Sequence, residues 1–186
     1  MDAITLLRSD HDTAEKLFKQ FERLGERASK SRRDIVDRMI EVLAVHAAIE
    51  EQVFYPAVRK VVPDVEDQIL EGLEEHHVVK WTLAELDGMD PNAERFDAKV
   101  TVLIESVRRH VEEEEGSVFP RVREALGRKA LQDMGSALEV AKKAAPVRPH
   151  PRSPDTPPLN AVTGTLAGMA DRLKDAGQDT LRKITP

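Results

Sequence analysis

There is no cysteine among the 186 residues of this chain. Disulfide staples, zinc–thiolate and iron–sulfur sites and cysteine nucleophiles are thereby excluded, and any metal must be held by nitrogen and oxygen. Aromatic residues are scarce at 4%, with a single tryptophan and a single tyrosine. Long alternating runs of β-branched residues are missing as well, which speaks for helices over sheets. No stretch approaches the roughly 20 consecutive apolar residues of a membrane span. The opening Met1-Asp2-Ala3-Ile4 lacks the basic start and apolar core of a secretion signal. A cytoplasmic protein with no membrane span is the expectation.

What is present is 40% hydrophobic and 33% charged residues, in a chain long enough for one domain with a core plus a tail. The net charge is −6, but residues from Lys142 onward carry +4, so the rest carries −10. An acidic body argues against nucleic acid as a partner.

One pattern occurs twice. His46-Ala47-Ala48-Ile49-Glu50-Glu51-Gln52-Val53-Phe54-Tyr55-Pro56 is followed 64 residues later by His110-Val111-Glu112-Glu113-Glu114-Glu115-Gly116-Ser117-Val118-Phe119-Pro120. A spacing of four puts each His and its Glu on one helix face, with Cβ atoms roughly 5–6 Å apart. Such a pair can share one metal or reach two, and two such helices facing each other would form a dinuclear site.

The remaining chain supplies partners. Residues 3–24 read as an amphipathic helix whose stripe is Ile4, Leu7, His11, Ala14, Phe18 and Phe21, followed by a loop to Arg33. A second helix spans about 34–60, with Ile35, Met39, Val42/Leu43, His46, Glu50 and Val53 inward; Pro56 predicts a kink or break. A third spans about 65–86. From His76 the helical offsets meet Ile69, Leu73, Val79, Leu83 and Leu86, all apolar, whereas from His77 they meet Leu70, Leu73, Lys80 and Trp81. His76 therefore points inward, and His77 is expected behind the ligands or at the surface. A fourth spans about 95–124, with Val100, Leu103, Val107, His110, Glu114 and Val118 inward and Pro120 as the kink. Glu112 and Glu113 read as a solvated charge block. Shifting helix one by 65 residues lays Ile4 on Ile69 and His11 on His76, so the chain reads as two copies of a helix pair.

Residues 127–145 predict a fifth helix on Leu131, Met134, Leu138 and Ala141, with Gly127 capping its predecessor. The six prolines between Pro146 and Pro158 mark a linker, and 159–184 a marginal helix weakened by Gly164, Gly168 and Gly177. The predicted fold is all-α: an antiparallel up-down four-helix bundle plus fifth helix over 1–145, and a Pro-rich tail over 146–186.

Four histidines and two glutamates thus share the apolar stripes: His11, His46, Glu50, His76, His110 and Glu114. These residues resemble the hemerythrin-like (HHE cation-binding) family over roughly residues 1–145. The resemblance is carried by His46-x-x-x-Glu50-Glu51-x-x-x-Tyr55-Pro56, by His110-x-x-x-Glu114-Glu115-x-x-x-Phe119-Pro120, by Asp10-His11-Asp12 and by Glu75-His76. It implies a four-helix bundle holding two non-haem iron ions with an oxo or hydroxo bridge, Glu50 and Glu114 bridging and the four histidines capping. A thiol-free nitrogen and oxygen set suits iron better than zinc or copper, with manganese the second choice.

Two departures stand out. Oxygen-carrying hemerythrins have five histidines, two of them four apart on helix three; here Lys80 follows His76 at that spacing and Trp81 follows His77. A shorter ligand set leaves coordination positions open, which favours chemistry over reversible carriage. Tyr55 stands where the family usually has phenylalanine. On an ideal helix it points about 140° away from Glu50, and three roles stay open for it: iron ligand, hydrogen-bonding proton donor beside the metals, or plain packing. The expectation is an enzyme that decomposes peroxide in oxidative or nitrosative stress defence, or reduces nitric oxide through a redox partner not named by the sequence. The alternative is an O2, NO or iron sensor or carrier without turnover.

Overall fold

The computed structural model describes residues 1–25 and 28–152; the expected marginal helix and the end of the expected linker, from residue 153, lie outside them. Four long rods form the bundle. The first is α1 (Ala3–Glu22) and the third is α4 (Glu66–Leu86). The second runs from α2 (Ser29–Ile49) through one widened turn (Glu50–Phe54) into α3 (Tyr55–Val61). The fourth repeats that design, from α5 (Phe96–Glu113) through Glu114–Val118 into α6 (Phe119–Ala125). A fifth helix, α7 (Arg128–Ala144), packs on α1 and on the second rod around its widened turn. There is no strand among the described residues, and none of their helices is long and apolar enough to cross a membrane.

Local chemistry sets the rod ends. Asp2 caps α1 by accepting from the Thr5 amide at 2.9 Å. Arg33 donates to the Leu86 and Met89 carbonyls at 2.8 and 3.0 Å, putting a cation at the C-terminal end of α4, where the helix dipole favours one. Gly88, at φ 74°, turns the chain out of α4 in a conformation that side-chain-bearing residues disfavour. Two expectations need correction. Ser29–Arg33, expected as loop, is already helical, and Gly127 begins α7 with φ −67° instead of closing the helix before it.

Pro56 and Pro120 neither break nor sharply end their rods. Each lies at the start of the helix that follows a π turn, in which the Tyr55 amide bonds the Glu50 carbonyl and the Phe119 amide bonds the Glu114 carbonyl. Proline has no N–H and its ring crowds the carbonyl four residues back. Opening the preceding turn to a five-residue span relieves that crowding while the rod continues.

The core is in two pieces. One apolar cluster gathers Leu7, Ile49, Phe54, Ile69 and Phe119, and the other gathers Phe18, Met39, Val79, Phe96 and Val107. His11, His46, His76 and His110 fall between them along each rod, so a polar layer divides the bundle core.

Candidate metal centre

All six residues singled out on the stripes are buried, and they lie together. Two groups of ligand atoms form. His11, His46, Glu50 and Glu114 surround one point, and Glu50, His76 and His110 surround another, with every atom in a group within 4.8 Å of the others. His11 Nε2 lies 3.1 Å from His46 Nε2, and His76 Nε2 lies 3.2 Å from His110 Nε2. Glu50 Oε2 sits between the pairs, 3.1 Å from His46 Nε2 and 3.4 Å from His76 Nε2. Glu114 Oε2 does the same on the other side, 3.5 Å from His11 Nε2 and 3.7 Å from His110 Nε2. His77 is at the surface, where its Nε2 accepts from the Trp81 indole at 3.1 Å.

Behind the histidines stand carboxylates to which sequence reasoning gave no role. His11 Nδ1 is 2.8 Å from Glu115, His110 Nδ1 is 2.8 Å from Glu75, and His76 Nδ1 is 3.2 Å from Glu51. His46 Nδ1 faces Asp10 at a longer 3.8 Å. A carboxylate that accepts from Nδ1–H leaves Nε2 without a proton, its lone pair aimed inward. The signal was present in the repeat: Asp10 and Glu75 share a shift of 65, and Glu51 and Glu115 a shift of 64. Lys80 completes the back of His76, donating to both Glu51 oxygens at 2.8 and 3.0 Å in a buried pair.

The donor set fits a pair of cations. Inward lone pairs from neighbouring imidazoles repel unless positive charge lies between them, and both oxygens of Glu50 and one of Glu114 are buried with no hydrogen-bond donor. A buried, unpartnered carboxylate oxygen is strongly disfavoured unless it is protonated or coordinated. The buried groups of the centre perturb one another strongly. Burial and the neighbouring Glu114 charge push the Glu50 carboxyl well above its usual range. Burial alone would push Glu114 up too, but His110, His11 and His46 outweigh it and hold that carboxyl well below the usual range. Burial pulls His46 down to about 4 and lowers His76 as well. For His110, burial is outweighed by Glu114 and Glu75, and its pKa is raised.

Tyr55 is where an ideal helix does not put it. The π turn lays residue 55 over residue 50, and the ring is buried in the centre. Its hydroxyl donates to Glu114 Oε1 at 2.9 Å and stands 3.5 Å from His76 Nε2 and 3.4 Å from His110 Nε2. Burial, reinforced by the Glu114 and Glu50 charges, raises the phenol pKa well above its usual value. Its repeat partner Phe119 stacks on His11, centroids 5.7 Å apart and planes at 5°, and offers no oxygen. A cavity of about 520 Å³ between α1 and the fourth rod reaches His11 past Arg8, Phe18, Arg108 and Glu115.

Comparison with known proteins agrees with this geometry. The family model described as hemerythrin HHE cation binding domain matches residues 2–122. An uncharacterized hemerythrin-like protein of Schizosaccharomyces pombe is 33% identical over 134 residues, which make up 72% of this chain and 66% of that one. A DNA nickase of a Nostoc species is 25% identical over 142 residues, 76% of this chain and 39% of that one. The chain thus spans less than two thirds of either relative's length. A crystal structure of a hemerythrin HHE cation-binding domain-containing protein from Mycobacterium kansasii has the same fold: TM-score 0.66 at 19% identity, covering 77% of this chain and 86% of that one.

Proposed function

The chain belongs to the hemerythrin HHE cation-binding family, and from that premise we propose that it holds two iron ions and decomposes hydrogen peroxide to water and oxygen. The observation that carries the proposal is the pair of ligand groups sharing Glu50, with unpartnered carboxylate oxygens facing both and only four imidazoles to serve them. His11 and His46 would hold the first ion, His76 and His110 the second, and Glu50 and Glu114 would span both. Two adjacent irons supply two electrons together and open positions for a small oxidant. Manganese fits the same donors less well.

This chain's residues would do the rest. The carboxylates behind His11, His76 and His110 hold the imidazoles in one tautomer and one orientation. The two apolar clusters keep bulk water from the centre, while the cavity lined in part by His11 would be the approach for a molecule as small as peroxide. Tyr55 is the proton donor on the second side, or its phenolate oxygen is a ligand there; its distances from Glu114, His76 and His110 suit either role. Peroxide serves as both oxidant and reductant in this reaction, two molecules giving one of oxygen and two of water, so no electron donor is required. Reduction of nitric oxide would need one.

Metal quantification and an optical spectrum come first, with two irons per chain expected. Oxygen release is then followed with an electrode on adding peroxide. Two irons per chain with no oxygen release would overturn the catalytic reading in favour of a sensor or carrier, for which reversible spectral change with O2 or NO is the mark. Tyr55→Phe separates the two roles of the phenol: loss of a long-wavelength phenolate-to-iron band means ligation, and slower turnover with an unchanged spectrum means proton donation.

A further inference from the structure

Gly72 is a glycine in the middle of α4, buried, in a helix that continues for fourteen residues after it to Leu86. A glycine there weakens a helix relative to alanine, because it adds backbone freedom and packs nothing. No turn or positive φ requires it. What requires it is space. A Cβ built at Gly72 would lie 3.1 Å from the Tyr55 hydroxyl, 3.6 Å from Cζ of the same ring and 3.4 Å from His110 Cε1. The first of these is closer than a methyl group and an oxygen ordinarily pack, so the phenol would have to move.

The internal repeat sharpens the point. The shift of 65 that lays His11 on His76 lays Leu7 on Gly72, and the shift of 64 lays Tyr55 on Phe119. Leu7 is fully buried in the same apolar cluster as Phe119. In one half a leucine accompanies a ring that ends in carbon. In the other, the leucine has shrunk to a glycine and the ring has gained a hydroxyl. A hydroxyl is far smaller than a leucine side chain, but the two changes meet at one place, where the phenol oxygen stands 3.1 Å from a Cβ built at Gly72.

We infer that Gly72 is a positioning residue for Tyr55: its missing side chain is the slot that lets the phenol oxygen reach Glu114 and stand beside His76 and His110. Gly72 and Tyr55 then act as one unit, and that unit makes the second cation position chemically unlike the first. The geometric part stands on the metal-free protein; the consequence for the second cation rests on the two-iron reading above.

The test is a double-mutant cycle on thermal unfolding of the metal-free full chain. Gly72→Ala is expected to lower the midpoint by a few degrees when Tyr55 is present. In the Tyr55→Phe background it is expected to raise it, because the methyl group fills vacated space and alanine is the better helix former. Equal shifts in both backgrounds would overturn the inference, since crowding of His110 alone would not depend on the hydroxyl. In the iron-loaded protein Gly72→Ala is expected to shift or remove any phenolate band while two irons per chain remain. Coupling in the metal-free cycle without a phenolate band in the wild type would keep the positioning role and remove the ligand role.

Discussion

The two halves of the centre are written by one pattern, yet they differ in what surrounds the ligands. Behind His11 the structure is open. Glu115 is about a third exposed, its cation Arg8 is half exposed at 3.6 Å, and a surface cavity reaches His11. Behind His76 it is closed. Glu51, behind His76, is buried with Lys80, and a phenol fills the place that Phe119 leaves without an oxygen. The repeat sets which atoms can bind a cation; the residues that depart from the repeat set access, charge and the supply of protons.

The most severe way to break the comparison is to remove a shared acid. Glu50→Ala or Glu114→Ala is expected to abolish the two-metal centre, because each carboxylate faces both histidine pairs. Metal analysis of the purified variants checks this, and two tightly held ions in either would contradict the bridging role.

The cations behind the histidines differ in burial. Lys80→Ala leaves the Glu51 charge buried without its partner and is expected to destabilise the protein by about 3–5 kcal/mol. Arg8→Ala, at the exposed Glu115, is expected to change stability by less than about 0.5 kcal/mol. Chemical denaturation of both metal-free variants measures the contrast, and equal losses would erase it.

Glu50 and Glu114 occupy matching places but are expected to respond oppositely to neutralisation. The raised Glu50 pKa means that the unfolded chain gives up this proton at about 4.3 while the folded chain retains it. Folding therefore loses stability as pH rises from there through the raised value. Glu50→Gln removes that loss and is expected to stabilise the metal-free protein at pH 7 by about 1–3 kcal/mol, with the gain shrinking as pH falls toward 4. The depressed Glu114 pKa has the other sign: its contribution is present above the unfolded value and is lost as pH falls through the folded one. Glu114→Gln is accordingly expected to destabilise at pH 7. Unfolding midpoints across this pH range decide the matter, and shifts of the same sign would mean that the two acids share their proton evenly.

The smallest effect is expected at His77→Ala. This histidine is exposed and pairs with Trp81 at the surface, so metal content is expected to be unchanged and stability to shift by less than about 0.5 kcal/mol. Loss of one metal ion would show that His77 reaches inward.

Much of the fold is legible in the residues because helical periodicity is a backbone property. Ile4, Leu7, His11 and Ala14 share a face wherever that helix is placed, and so do Val107, His110 and Glu114. The same counting separates His76 from His77. It fails at Tyr55, because it assumes 3.6 residues per turn and the rod has a wider turn just before Pro56. It is silent on Glu51, Glu115 and Lys80, since a charged residue beside the apolar stripe reads as solvent-facing until its partner across the bundle is known. Glu115, beside the expected charge block of Glu112 and Glu113, belongs to His11 a hundred residues earlier.

By itself, then, the amino-acid order determined an all-helical bundle, its internal repeat and the four histidines and two glutamates that face inward, because each follows from spacing along one chain. Only the tertiary structure decided that Glu51, Glu75 and Glu115 back the histidines, that Lys80 is buried, that the phenol reaches the second half and that Gly72 makes room for it. Those facts are distances between rods, and no period within a single helix contains them.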